Sequence, residues 1–127
     1  MPTARYVRVY ADSEGESHFS DEEMQLRSVS FAPPAPPLNL SAFTPTKQFA
    51  LLVSPAGWFG DWHTAPHRQF FFRLVGEIEI RVSDGEVRRL GPGSILFVFG
   101  EDTTGKGHTT RNIGDDAIAT VVQLAES

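Results

Sequence analysis

The sequence predicts an all-β fold, a small antiparallel barrel or sandwich, and three observations carry that expectation. Apolar residues recur with period two in short runs, Gly, Pro, Asn and Asp separate those runs, and no longer stretch sustains a helical period. A chain of 127 residues is long enough to bury one hydrophobic core and too short for two, so a single domain over 1–127 is expected.

Taken in order, residues 5–10 and 25–31 read as two early strands. The acidic stretch between them holds His18, and its Ser20 and Glu23 have capping-box spacing. No apolar run follows, so at most one helical turn is expected there. His18 is read as an exposed side chain, with a lid residue reaching a pocket mouth as the alternative. Four prolines at Pro33, Pro34, Pro36 and Pro37 cannot donate ladder hydrogen bonds, which makes 32–37 an extended connector, an arm or edge crossing. Residues 1–47 are thus N-terminal strands plus a Pro-rich arm.

From Gln48 the strands come densely. Residues 48–54 precede a turn at Pro55-Ala56-Gly57, and 58–63 form the next strand. After Pro66 come 69–75, a break at Gly76, and 77–82, where Ile78, Ile80 and Val82 alternate with Glu79 and Arg81. Ser83-Asp84-Gly85-Glu86 is the strongest hairpin signal, because Asp-Gly suits the positive φ angles of a type I′ turn. Residues 87–90 are its return strand. Gly91-Pro92-Gly93 turns the chain into 94–99, 101–107 is a loop, and 108–112 and 117–124 are the last two strands. So many short strands in one small domain point to a barrel or sandwich.

The net charge of −5 is spread along the chain and no Lys/Arg-rich run occurs, which excludes the electrostatic footprint of a nucleic-acid binder. No apolar stretch approaches the roughly 20 residues of a membrane helix, and the opening residues lack a signal peptide's apolar segment. A cytoplasmic protein without membrane or nucleic-acid partners is expected. The absence of cysteine excludes disulfides, thiolate metal sites and cysteine nucleophiles. Chemical interest therefore falls on His18, His63, His67 and His108.

His63, Gln69 and His108 each stand where a strand meets a turn, a position from which side chains reach a barrel mouth. Aromatic residues surround them, as a small-molecule pocket or an ordinary barrel core equally requires. Trp58 and Trp62 flank the glycines before His63 and are read as rim contacts. Phe71 and Arg73 share a strand face with Gln69. If that face is interior, the Arg73 guanidinium needs a carboxylate partner or a bound anion; otherwise it faces outward. The loop Glu101 to Gly107 contains Gly105-Lys106 but lacks P-loop spacing, which leaves a loop or a lid over the mouth.

Gly60-Asp61-Trp62-His63, running through Gln69 to Gly76, resembles the first sequence motif of the cupin superfamily. Gly91-Pro92-Gly93, followed by His108-Thr109-Thr110-Arg111-Asn112, resembles the second. The resemblance covers residues 48–124 and implies a jelly-roll barrel, a double-stranded β-helix, commonly dimeric. It also implies a divalent metal held by three His and one Glu. Carried over, those ligands are His63 and His108, with Ala65 in place of the second histidine and Gln69 in place of the glutamate. A neutral amide oxygen is a weaker ligand than a carboxylate, so affinity for Zn, Ni, Mn or Fe should fall. His67, at the same parity as 63, 65 and 69, could compensate, or stand at the surface or pocket rim.

Three functions follow from this set. One is a metal-assisted enzyme on a small organic molecule, with His63 and His108 holding the ion and Gln69 ligating or orienting. Another is a barrel that binds a small ligand without metal or turnover. The last is a metal-free acid–base enzyme of the sugar-epimerase type, for which no motif position supplies an orienting carboxylate.

Overall fold

The computed structural model describes residues 3–65, 67–98 and 105–125. Among these, twelve strands follow in order: β1 (Thr3–Ala11), β2 (Ser17–Gln25), β3 (Arg27–Val29), β4 (Leu38–Leu40), β5 (Thr46–Ser54), β6 (Phe59–His63), β7 (Gln69–Val75), β8 (Ile78–Val82), β9 (Val87–Leu90), β10 (Ile95–Val98), β11 (His108–Asn112) and β12 (Ala117–Leu124). No helix is present among the described residues, and so none is long and apolar enough to cross a membrane.

One sheet runs β2-β1-β10-β7-β12-β5 and a second β6-β11-β8-β9, while β3 and β4 form a ribbon of their own. All pairings are antiparallel except β1 with β10. Strand alternation sends one face of each sheet inward. Val9, Phe19, Leu96, Val98 and Ala117 from the larger sheet meet Ile78, Ile80, Val82 and Leu90 from the smaller in one core. The back of the larger sheet carries a second cluster, in which Phe70, Phe97 and Leu124 pack with Tyr6, Phe72 and Ile95. This is the two-sheet β arrangement that the alternation predicts, and it agrees with the jelly-roll that the resemblance implies.

Three local expectations change. The acidic stretch before residue 25 is not a helical turn but the strand β2, paired along its whole length with β1 from Ala11↔Ser17 to Thr3↔Gln25. Its Phe19 supplies the buried side, which a polar, charge-rich composition hides. The Pro-rich segment is a connector, but a turning one, since β3 and β4 pair with Arg27 opposite Leu40 and Ala35 N–H donates to Ala32 C=O at 2.9 Å. The 83–86 hairpin is not type I′, because Gly85 alone has positive φ, at 99°. Gly85 N–H donates to Val82 C=O at 3.1 Å and Val82 N–H to Glu86 C=O at 3.1 Å. That is a type I turn closed by a glycine bulge, which needs one left-handed residue rather than two.

His18 ties this hairpin to the β1–β2 turn. Its Nδ1 donates to Asp84 Oδ2 and its Nε2 to Asp12 Oδ2, both at 2.7 Å. Both partners are carboxylates, so both ring nitrogens carry protons. The Asp12 bond, then the Asp84 bond, raise the imidazole's pKa above its ordinary value, against a smaller desolvation that lowers it. Stabilisation from a raised pKa is complete below the ~6.5 of a free imidazole and is lost as pH climbs through the folded value. The Asp12 carboxyl is held low, first by His18, and that of Asp84 first by the Glu86 backbone N–H, so their contribution is lost at acid pH instead. The melting temperature is expected to fall from about pH 6 to about pH 9, and His18→Gln to flatten that fall. An unchanged slope in the variant would assign the pH dependence to other groups.

Candidate functional site in the barrel mouth

β6 and β11 lie side by side with His63 directly opposite His108. Their ring centroids are 4.5 Å apart and tilted by 58°. His108 is buried and also sits opposite Val82 of β8, whereas His63 is exposed at the rim. His63 Nδ1 donates to the Asp61 carbonyl at 2.6 Å. Because a carbonyl only accepts, Nδ1 carries the hydrogen, and Nε2 of the neutral ring presents its lone pair. Gly60 makes this arrangement possible: a Cβ there would lie 2.7 Å from Trp58 Cη2 and 3.2 Å from His63 Cε1. The Trp58 indole and the His63 imidazole thus both lie over a bare backbone.

Beneath the pair lies a cavity of about 260 Å³. Leu52, Phe71, Ile78, Ile80 and Leu96 form its apolar walls, Trp58 stands at the side, and His63, His108, Thr110 and Arg73 are its main polar groups. β7 delivers Phe71 and Arg73 to the same wall because they are two residues apart on one strand face. Arg73 is only 7% exposed, and burial pushes its guanidinium below the ordinary arginine pKa without discharging it.

The other residues marked in the sequence lie elsewhere. Gln69 shares the face of Phe71 and Arg73 but is not among the cavity's lining; its Oε1 accepts from Gln123 Nε2 at 3.2 Å, and Gln123 in turn accepts from Gln48. His67 is exposed and outside the cavity, as is Trp62, which is half exposed. Most of the loop read as a lid, residues 101–104, lies outside the described residues.

Sequence reasoning missed the groups that hold His108 in place. Ser17, fully buried, donates through Oγ to the Gly107 carbonyl at 2.6 Å and accepts from Ser83 N–H at 2.7 Å. Lys106 N–H donates to the Gly15 carbonyl at 2.8 Å, and its Nζ pairs with Glu16 at 2.8 Å. A serine in a strand of uncertain existence gives no signal of this kind. Only the register of β2 against β1, and the turn beside β8, reveal it.

No family model matches the chain. A stretch of 72 residues, 57% of this chain, is 32% identical to dimethylsulfoniopropionate lyase DddQ of Ruegeria pomeroyi, and that chain's crystal structure aligns over 80% of this one at 24% identity with a TM-score of 0.48. The stretch matched in sequence spans 34% of the lyase's length, and the structural alignment spans 48% of its crystallised chain. A predicted oxalate decarboxylase from Thermotoga maritima aligns over 80% of this chain and 94% of itself, at 17% identity and a TM-score of 0.47. A putative ethanolamine utilization protein Q from Salmonella typhimurium covers 98% of both chains at 12% identity and a TM-score of 0.46.

The four-ligand metal site that the cupin resemblance implies is not matched by the donors present. Ala65, at the second histidine's place, is 2% exposed and packed in the core. The Gln69 amide is engaged by Gln123. Among the described residues no three His, Asp or Glu side chains are grouped so as to hold an ion.

Proposed function

We propose that this chain is a small cupin that captures a small organic molecule in its barrel mouth, between apolar walls and the His63–His108 pair. The cavity carries this reading: about 260 Å³, walled mainly by aliphatic and aromatic carbon, with the His63 imidazole at its rim and that of His108 buried beside it. That is the composition of a small-ligand site, in which a few polar groups fix orientation and apolar contact supplies affinity.

A metal-assisted reading is favoured by one observation, the lone pair that His63 Nε2 presents beside His108. The two are separated by screening small organic molecules against thermal unfolding while measuring the metal content of protein purified without a nickel column. A ligand at about 100 times its Kd adds about 2.7 kcal/mol to the native state, and binding is expected to weaken in His63→Ala and His108→Ala with metal below stoichiometric amounts. Stoichiometric Zn, Ni, Mn or Fe that disappears in those variants would establish the metal reading instead. A screen with neither ligand nor metal would sink both.

We also propose that two copies associate through β5. β1 is paired on both sides within the chain, so it is not a free edge, whereas β5 ends the larger sheet. Phe49, Leu51 and Val53 on β5 are each more than half exposed, an unprotected apolar edge of the kind that monomers avoid. Light scattering is expected to give twice the chain mass, falling to one in Leu51→Lys; a monomeric native protein would refute the pairing.

A further inference from the structure

Arg73 is the group that neither the core nor the fold explains. It sits in the middle of β7 on the cavity side, is 93% buried by its 7% exposure, and lines the cavity together with His63 and His108. No ion pair or side-chain hydrogen bond to its guanidinium forms among the described residues, and its buried Nε has no hydrogen-bond partner. Its surroundings are Phe71, Ile78, Leu90 and Leu96, with Ser94 beside them. Ala119, opposite it on β12, is fully buried. A guanidinium keeps its charge in such a place, and an unpaired buried cation is costly unless an anion meets it.

We infer that the cavity is built for a small monocarboxylate, whose carboxylate is bound by Arg73 and whose apolar body lies against Phe71, Ile78, Ile80 and Leu96. The inference rests on the small-ligand reading of the same cavity and adds the ligand's charge. The register supports a ligand that spans the site. Arg73 lies with Ile78 and Leu90, at one end of β8, whereas His108 stands opposite Val82 at the other. The ligand is thus anchored at its acid end and has its far end beside the imidazoles. A single guanidinium presents a planar fork that matches one carboxylate. No lysine or second arginine lines the cavity among the described residues, so a phosphate dianion would stay half neutralised.

The test compares acids with their uncharged, nearly isosteric amides: benzoate with benzamide, and hexanoate with hexanamide, by titration calorimetry up to millimolar concentrations. Each acid is expected to bind at least about tenfold more tightly than its amide, as a charge-assisted bond exceeds a neutral one. Arg73→Met, close in length and uncharged, is expected to abolish that preference and to melt no lower than the native protein, because it removes an unpaired cation. Equal binding of acid and amide to the native protein overturns the carboxylate assignment and leaves the small-ligand reading standing. An acid preference that persists in Arg73→Met, or a lowered melting temperature of that variant without ligand, also overturns it. Binding of neither member of either pair overturns the assignment and counts against the cavity reading itself.

Discussion

Gly107→Ala is expected to destabilise the fold by about 3 kcal/mol or more, because backbone strain adds to a steric clash. Gly107 has φ +78°, where an L-residue pays about 1–2 kcal/mol for its Cβ alone. Here that Cβ would also overlap the His63 carbonyl, with the carbonyl carbon at 2.6 Å and Thr64 N at 3.1 Å. Neither side can give way easily. Ser17 Oγ holds the Gly107 carbonyl, and His63 closes the end of β6 against β11. The same methyl would push His63 away from His108, so ligand affinity should fall along with stability. Urea denaturation decides it: with an m-value of about 1–3 kcal/mol/M, the midpoint should drop by about 1–3 M. A midpoint within experimental error of the native one would show that the close approach is dispensable.

Asn112→Ala is expected to cost about 3 kcal/mol, because it strands several backbone groups at once. The Asn112 side chain is 4% exposed, and its Nδ2 donates to the carbonyls of Ser54 and Asp115 at 2.8 and 3.0 Å and lies 3.0 Å from that of Pro55. Its Oδ1 accepts from Gly114 N–H at 3.1 Å. One residue thus fastens the end of β5, the turn into β6 and the turn into β12. Its own backbone N–H donates to the Trp58 carbonyl at 2.9 Å, which places the indole beside the cavity. Asn112→Asp keeps the acceptor but turns a carboxylate towards those carbonyls, so it should be no better than alanine. Chemical unfolding followed by tryptophan fluorescence reports both the stability and the loosening of Trp58. An alanine variant of native stability would mean that these carbonyls need no internal donor.

The strands from β7 to β9 and the last two were legible because each alternates apolar with polar residues between strong turn residues. Val87–Leu90 and Ala117–Leu124 fall where the pattern places them. β2 was not legible. Its Ser17, His18, Ser20, Asp21, Glu22 and Glu23 carry no apolar alternation beyond Phe19, and pairing with β1 supplies what its composition lacks. The hairpin at Asp84-Gly85 was found, but its turn type was not, since one left-handed residue or two satisfy the same dipeptide. In the site, the motif spacing brought His63 and His108 into register, yet Gln69 on the expected face turned to Gln123 instead of the cavity.

From the chain of residues alone came the all-β class, the strand-rich region from residue 48 onward and the two histidines, because periodicity, turn chemistry and motif spacing are local properties. Tertiary structure decided which of the marked side chains share a space. Arg73 faces an apolar cavity without a counter-charge among the described residues, Ser17 reaches across 90 positions to hold Gly107, and Trp58 and His63 both lie over Gly60. Parity along a strand says which face a side chain takes, but not what stands opposite it. That depends on how the two sheets close over each other, a relation between residues distant in sequence that no local pattern contains.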